Sequence, residues 1–493
     1  MAENEQEEYH NNNNNVSSSN NNNWGSVANL CSATLGAGAV SLPYAFQKCG
    51  LLGGILLLSF AALVTGFSIQ LLAEAVSCNI EGCTSYESMS HKLCGPRMGY
   101  LVEASVILFC FGVCVAYIVA VGDMLDDGLI KVLQDDLPSF FTREFAMFLF
   151  WLVFMLPLSL LKKIDSLKFS SCVGVVSILF LMFVTVYKSM EHIANEGAND
   201  VFSEIKLWPS NVMDFVQACP LIMFAFSCQV NVPQIYDEME NKAVSFLMSA
   251  VRRSVFFCFF VYLSMGGTGY LQFNDITDEN ILKNYCVQTS HDGLVITAFV
   301  AISFAIVVAF PLNVFPCRSA MNLLVTRFRD NASDTNSKMI PLLAENEDFV
   351  CDEDASIPST DISTESTIVG DDVNEITSSA YYFTITLFIS GSSFLLALIV
   401  PDISVVFGFV GGTAAALLGF IMPAVFALKL DLAPSNSAKM VFTWSLLVGG
   451  SIVGVVSTGV TLYQTIQKED EIDPWRRHFI KVHHFCGRRL RGT

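Results

Sequence analysis

Apolar residues in this chain come in long blocks, not in the stripes of a surface helix or the alternation of a strand. Eleven blocks have the length that crosses a bilayer as a helix, roughly 20 residues each. They lie at about 25–46, 50–76, 99–122, 143–161, 168–188, 212–236, 249–272, 292–316, 379–400, 404–428 and 440–463. No water is available in hydrocarbon, so a spanning backbone must satisfy its own polar groups, and each block predicts a helix. The strand pattern of an outer-membrane barrel is missing. The expected fold class is all-α integral membrane with 11 transmembrane helices.

Two spans are interrupted. The first carries Gly36 and Gly38 in mid-span and Pro43 a turn later, which makes a continuous helix poor. The sixth carries Ser227, Gln229 and Asn231 ahead of Pro233. The breaks lie near the middle of their spans and five spans apart. Interrupted helices at corresponding positions of two halves are the mark of an inverted-repeat transporter. Spans 1–5 and 6–10 then form a five-plus-five inverted repeat, with span 11 added.

Composition fits a membrane protein: 53% of the 493 residues are hydrophobic and 15% are charged. The formal net charge of −19 argues against a nucleic-acid partner. It is unevenly placed. Residues 1–23, acidic and then Asn-rich, hold four glutamates and no Lys or Arg. Residues 330–377, Ser/Thr-rich, hold 13 acids and one base, Lys338. These account for −4 and −12, so the rest carries −3. The expected organisation is a disordered tail at 1–23, helices 1–8 over 24–329, an acidic cytoplasmic loop at 330–377, helices 9–11 over 378–463, and a basic tail at 464–493. The acidic loop reads as a solvated linker or as a phosphorylated segment that recruits cytosolic regulators.

With the N-terminus in the cytoplasm, the inner loops hold 14 Lys and Arg and the outer loops 6, as the positive-inside rule requires. The basic tail then falls outside, against the rule. The sequons at Asn15 and Asn331 fall inside and are expected to stay unglycosylated. The 15 cysteines show no zinc spacing and read as small apolar filler. No metal and no cofactor are expected.

A broken helix exposes backbone. Near Gly38 the restarted segment offers free N–H groups at the positive end of a half-helix dipole, which suits a carboxylate. The breaks also free carbonyls, which receive an ammonium or a cation. A site with both suits a zwitterion, so the substrate-binding candidates are Thr34, Leu35, Gly36, Ala37, Gly38, Ser227, Cys228, Gln229 and Asn231. A buried amide without a partner is costly, so Gln229 or Asn231 should meet substrate, water or the facing half-helix. Tyr117 in span 3 is a candidate lid or cation contact. Glu74 and Glu103 lie near the inner ends of spans 2 and 3, where snorkelling or interfacial water would solvate them. Asp123, His291 and Asp402 sit at span ends.

The segment Gly36-Ala37-Gly38-Ala39-Val40-Ser41-Leu42-Pro43-Tyr44-Ala45-Phe46 resembles the first-helix signature of the amino acid/auxin permease family. Phe226 to Met239 resembles its sixth-helix signature, and Gly269-Tyr270, Asn280 to Tyr285 and Phe315-Pro316-Cys317-Arg318 fit later parts. The resemblance runs from about 24 to 463. It implies a LeuT-like inverted-repeat fold of the amino acid–polyamine–organocation superfamily, with secondary active amino acid transport and no enzyme activity. The family's sodium-coupled neutral amino acid branch has an Asn where this chain has Ser32, and a Thr where it has Phe310 before Pro311. Both departures favour H+ coupling, with an ion gradient as the driving force, or facilitative exchange over Na+, with neutral amino acids as substrate. Ser32 and Glu103 are the ion-coupling candidates. A sodium-coupled symporter is one alternative, and a membrane amino acid sensor is another. The membrane is the plasma membrane or a vacuolar or lysosomal one.

Overall fold

A computed structural model describes residues 25–78, 85–126, 142–161, 168–239, 242–285, 292–344, 368–400, 402–434 and 437–470. The N-terminal tail, residues 345–367 of the acidic loop, His291 and the end of the C-terminal tail lie outside the described residues. Among the described residues all elements are helices, nine of them long and apolar enough to cross a membrane, and a bent pair, Gly25–Thr34 with Gly38–Cys49, makes ten. Large apolar side chains such as Leu63, Val176, Phe388 and Val455 point outward, as a lipid-facing surface requires.

The difference from eleven spans lies in the fourth block. It forms α6 (Arg143–Phe150), a π-helical turn (Trp151–Met155) and α7 (Leu156–Ser159). Pro157 stands just past the π turn, and the rod ends at Ser159, short of the length of its neighbours.

The first span breaks where the glycines suggest. α1 (Gly25–Thr34) ends, Leu35 and Gly36 are non-helical, and a 3₁₀ turn at Ala37–Ser41 leads into α2 (Leu42–Cys49). The sixth span repeats this order. α10 (Val212–Ala225) ends, Phe226 to Cys228 are non-helical, and a 3₁₀ turn at Gln229–Asn231 leads into α11 (Val232–Glu238). Each restarted segment has its proline, Pro43 or Pro233, in the first turn, where no helical N–H partner is lost. The two halves of the first span meet at 51°.

Around the broken spans stand α3 (Leu51–Ser77), α5 (Pro96–Leu125), α8 (Lys168–Glu196), α12 (Val244–Phe273), α14 (Gly293–Ala344), α15 (Ile368–Ile399), α16 (Ile403–Val410), α17 (Met422–Lys429) and α18 (Ala438–Asp470). α4 (Tyr86–Cys94), α9 (Ala198–Glu204) and α13 (Ile281–Asn284) are short connectors. α14 packs along α5, and α2 is wedged between α10 and α12. Small residues allow the close approaches. A β-carbon on Gly54 or Gly266 would lie 2.8 or 2.7 Å from the Phe46 ring, so both glycines make room for this fully buried side chain.

One cation is buried away from the breaks. Arg318 of α14 donates from Nη1 to Thr386 Oγ1 at 2.9 Å. Its guanidinium lies 4.2 Å from the Phe315 ring centroid and 3.9 Å from that of Tyr382.

Candidate functional site

Between the two breaks lies a cavity of about 460 Å³, walled by the first, sixth and tenth spans and by α5, α8 and α14. Thr34, Leu35, Gly36, Gly38, Tyr117, Ser227, Gln229 and Asn231 line it, as does Ser32. Two candidates are placed otherwise. Cys228 is buried and is not among the residues that line the cavity. The side chain of Ala37 lies outside what is described.

The cavity opens to the face on which α1 begins. Asn29, Asn231, Gln234 and Glu238 are exposed there and line its mouth. Toward the opposite face it is shut. Phe224 stacks on Phe407 with centroids 4.3 Å apart and planes 20° from parallel, and Phe109 leans on Phe224 at 5.7 Å.

The polar groups on the wall are partly committed. Thr34 Oγ1 donates to the Leu30 carbonyl at 2.7 Å, and Ser227 Oγ to that of Met223 at 2.9 Å. Each hydroxyl therefore turns only its lone pairs to a ligand. Gln229 Oε1 accepts from the Cys228 N–H at 3.0 Å, so its carbonyl caps the break and its NH₂ remains. Gly419 gives this amide its room: a β-carbon there would lie 3.4 Å away. Asn313 of α14 lines the cavity, and its Nδ2 donates to the Ala309 carbonyl at 3.1 Å. Sequence reasoning missed Asn313, although an amide two residues after Pro311 in an apolar span was the available signal. Glu238, at the mouth, is the one charged residue among those lining the cavity.

The carboxylates lie elsewhere. Glu103 is fully buried outside the cavity wall, and its Oε1 meets His91 Nε2 at 3.1 Å and Arg327 Nη1 at 3.1 Å. The expectation that water solvates it is corrected: an imidazole and a guanidinium do. His91, on the connector α4, is held below its ordinary pKa, first by burial and then by the Arg327 charge. Glu74 is likewise paired, with Lys439. Asp123, at the far end of α5, is 4% exposed and meets Arg143 at 3.0 Å and Lys283 at 3.1 Å. Lys283 also lies 4.0 Å from Asp278, and this charge cluster was missed because its members come from separate parts of the chain. Phe310 is fully buried and is not part of the cavity wall, so its ring neither blocks nor completes an ion site there.

Among solved structures, the chain resembles MhsT in complex with L-phenylalanine, with a TM-score of 0.49 at 11% identity over 88% of this chain and 98% of that one. It is 26% identical to vacuolar amino acid transporter 5 of Schizosaccharomyces pombe over 89% of this chain and 93% of the relative. It is 25% identical to vacuolar amino acid transporter 6 of Saccharomyces cerevisiae, over 82% and 89% of the two chains. It is also 25% identical to sodium-coupled neutral amino acid transporter 7 of Danio rerio, over 90% and 87%. The model of the transmembrane amino acid transporter protein family matches residues 19–467. The chain belongs to this family of multi-pass membrane transporters.

Proposed function

We propose that the protein is a secondary active carrier of neutral amino acids that works by alternating access. The observation that supports this most is the cavity between the two breaks, whose wall holds amides, hydroxyls and main-chain dipoles but only one charged side chain, at its mouth. The substrate carboxylate faces the N–H groups of the restarted segment at Gly36 to Gly38, and its ammonium faces freed carbonyls of the sixth span. Spans 1, 2, 6 and 7 rock against 3, 4, 8 and 9, as a five-plus-five inverted repeat implies. The N-terminus is cytoplasmic, the cavity faces inward, and the 330–377 segment is a surface for cytosolic regulators. The vacuolar names of two relatives favour a vacuolar or lysosomal membrane.

Movement is driven by H+ or is facilitative. Sodium coupling is the second reading, favoured by the name of the Danio relative. The test is uptake of each labelled amino acid by the purified full-length chain in proteoliposomes, with pH and Na+ varied independently. Saturable uptake of neutral amino acids that responds to pH and ignores Na+ is expected. Strong Na+ dependence at fixed pH overturns the coupling assignment. Binding without flux overturns the carrier in favour of a sensor.

A further inference from the structure

The two breaks leave two helix C-termini close together. α1 ends at Thr34 and α10 at Ala225, and both terminal carbonyls point at one atom, the hydroxyl of Tyr262 on α12. The distances are 2.6 Å to the Thr34 oxygen and 2.8 Å to the Ala225 oxygen. A helix C-terminus carries about half a negative charge. Two such ends converging in a buried place attract a cation. Tyr262 is fully buried, and Phe226 packs edge-on against its ring at 5.2 Å.

A phenol has one proton and serves two acceptors only by sharing it between them. The contact is part of a longer seam along α12. Ser254 lies one turn before Cys258 and two before Tyr262, and its hydroxyl sits 3.2 Å from the Val27 carbonyl of α1. α12 thus meets α1 at two points, Ser254 beside Val27 and Tyr262 at Thr34, and Tyr262 joins both to the end of α10.

We propose that Tyr262 is the positioning residue of the substrate site. Its hydroxyl occupies the point to which the two helix ends would draw a monovalent cation, and it fixes the separation of the breaks without one. The inference deepens the carrier reading and, in its transport arm, rests on it.

The test uses the purified full-length chain, wild type and Tyr262→Phe, in choline, sodium or lithium chloride at equal ionic strength and pH. The first readout is the thermal midpoint in detergent, which needs no transport. Wild type is expected to show no cation-specific shift. Tyr262→Phe should fall in choline and gain about 2–4 °C in sodium or lithium, as the cation takes the vacated place. The second readout is the half-saturating concentration for uptake of an equimolar mixture of neutral L-amino acids. Tyr262→Phe should raise it about tenfold in choline, and the small cation should bring it back. A merely structural loss would show no such rescue. Equal cation response in both proteins, or wild-type saturation by Tyr262→Phe in choline, overturns the proposal. If Tyr262→Phe does not fold, the wild-type arm decides, because a sodium- or lithium-specific rise there overturns it and its absence supports it. Failure of wild type to take up any amino acid sinks the carrier reading instead, and the thermal arm still tests Tyr262.

Discussion

Gly38 lies so close to Ala225 that a β-carbon on it would be 3.1 Å from the Ala225 Cα and 3.2 Å from the Phe224 ring. The restarted half of the first span is therefore packed against the outgoing half of the sixth. This contact and the Phe224–Phe407 stack shut the cavity on the side opposite its mouth. Gly36 differs, since a β-carbon there would meet only the Thr34 carbonyl, at 4.0 Å.

The two glycines should respond differently to substitution. Gly38→Leu forces the half-helices apart and costs about 1–3 kcal/mol of packing strain. Uptake should vanish while the protein still reaches the membrane. Gly36→Ala should leave the thermal midpoint near wild type. Normal uptake by Gly38→Leu would remove the breaks from the site.

Asp123 balances two cations at the shut end, Arg143 and Lys283. Asp123→Asn keeps the shape and removes the charge, leaving both cations without it. A loss of about 3–5 kcal/mol is expected, read as a lowered thermal midpoint. Lys283→Met in the same background should recover part of it. An additive double variant would show that the pair is not coupled.

Arg318 is held by a hydroxyl and two rings, a geometry that a planar guanidinium fits and an ammonium does not. Arg318→Lys is expected to lose most of what Arg318→Met loses. Denaturation midpoints in detergent compare the two. A Lys variant as stable as wild type would show that charge alone is needed.

His91 gives a pH dependence with a definite sign. Its pKa in the folded chain lies below the ordinary value of 6.5, so the unfolded chain takes up the proton first. The contribution is complete above 6.5 and is lost as the pH falls below it toward the lowered folded value. A thermal midpoint that drops on acidification through this window should lose part of that drop in His91→Gln. An identical drop in the variant would place the titration elsewhere.

Much of the architecture was legible because membrane solvation is a strong local constraint. Length and apolarity marked the spans, and Gly36, Gly38, Pro43 and Pro233 marked the places where helices restart. The fourth block was less legible, because a π turn beside Pro157 shortens it without changing its composition. At the site, the residues flanking each break could be read, but Asn313 and Tyr262 could not. Their roles come from α12 and α14 meeting the breaks from distant parts of the chain, Tyr262 standing 37 residues from Ala225 and 228 from Thr34. Glu103 was read as wet because its partners, His91 and Arg327, lie on other elements. Cys228 sits inside the right motif yet is buried outside the cavity wall.

The nearly uncharged wall has a consequence for timing. A fixed opposite charge 4 Å from each end of a zwitterion would add about 4 kcal/mol per contact at the effective dielectric of such a site. Each such contact would lengthen the dwell of the passenger by several hundredfold or more. Main-chain dipoles and amides grip both ends more lightly. On the proposed reading, the wall trades affinity for turnover: the passenger is recognised at both ends and still leaves quickly through the open mouth.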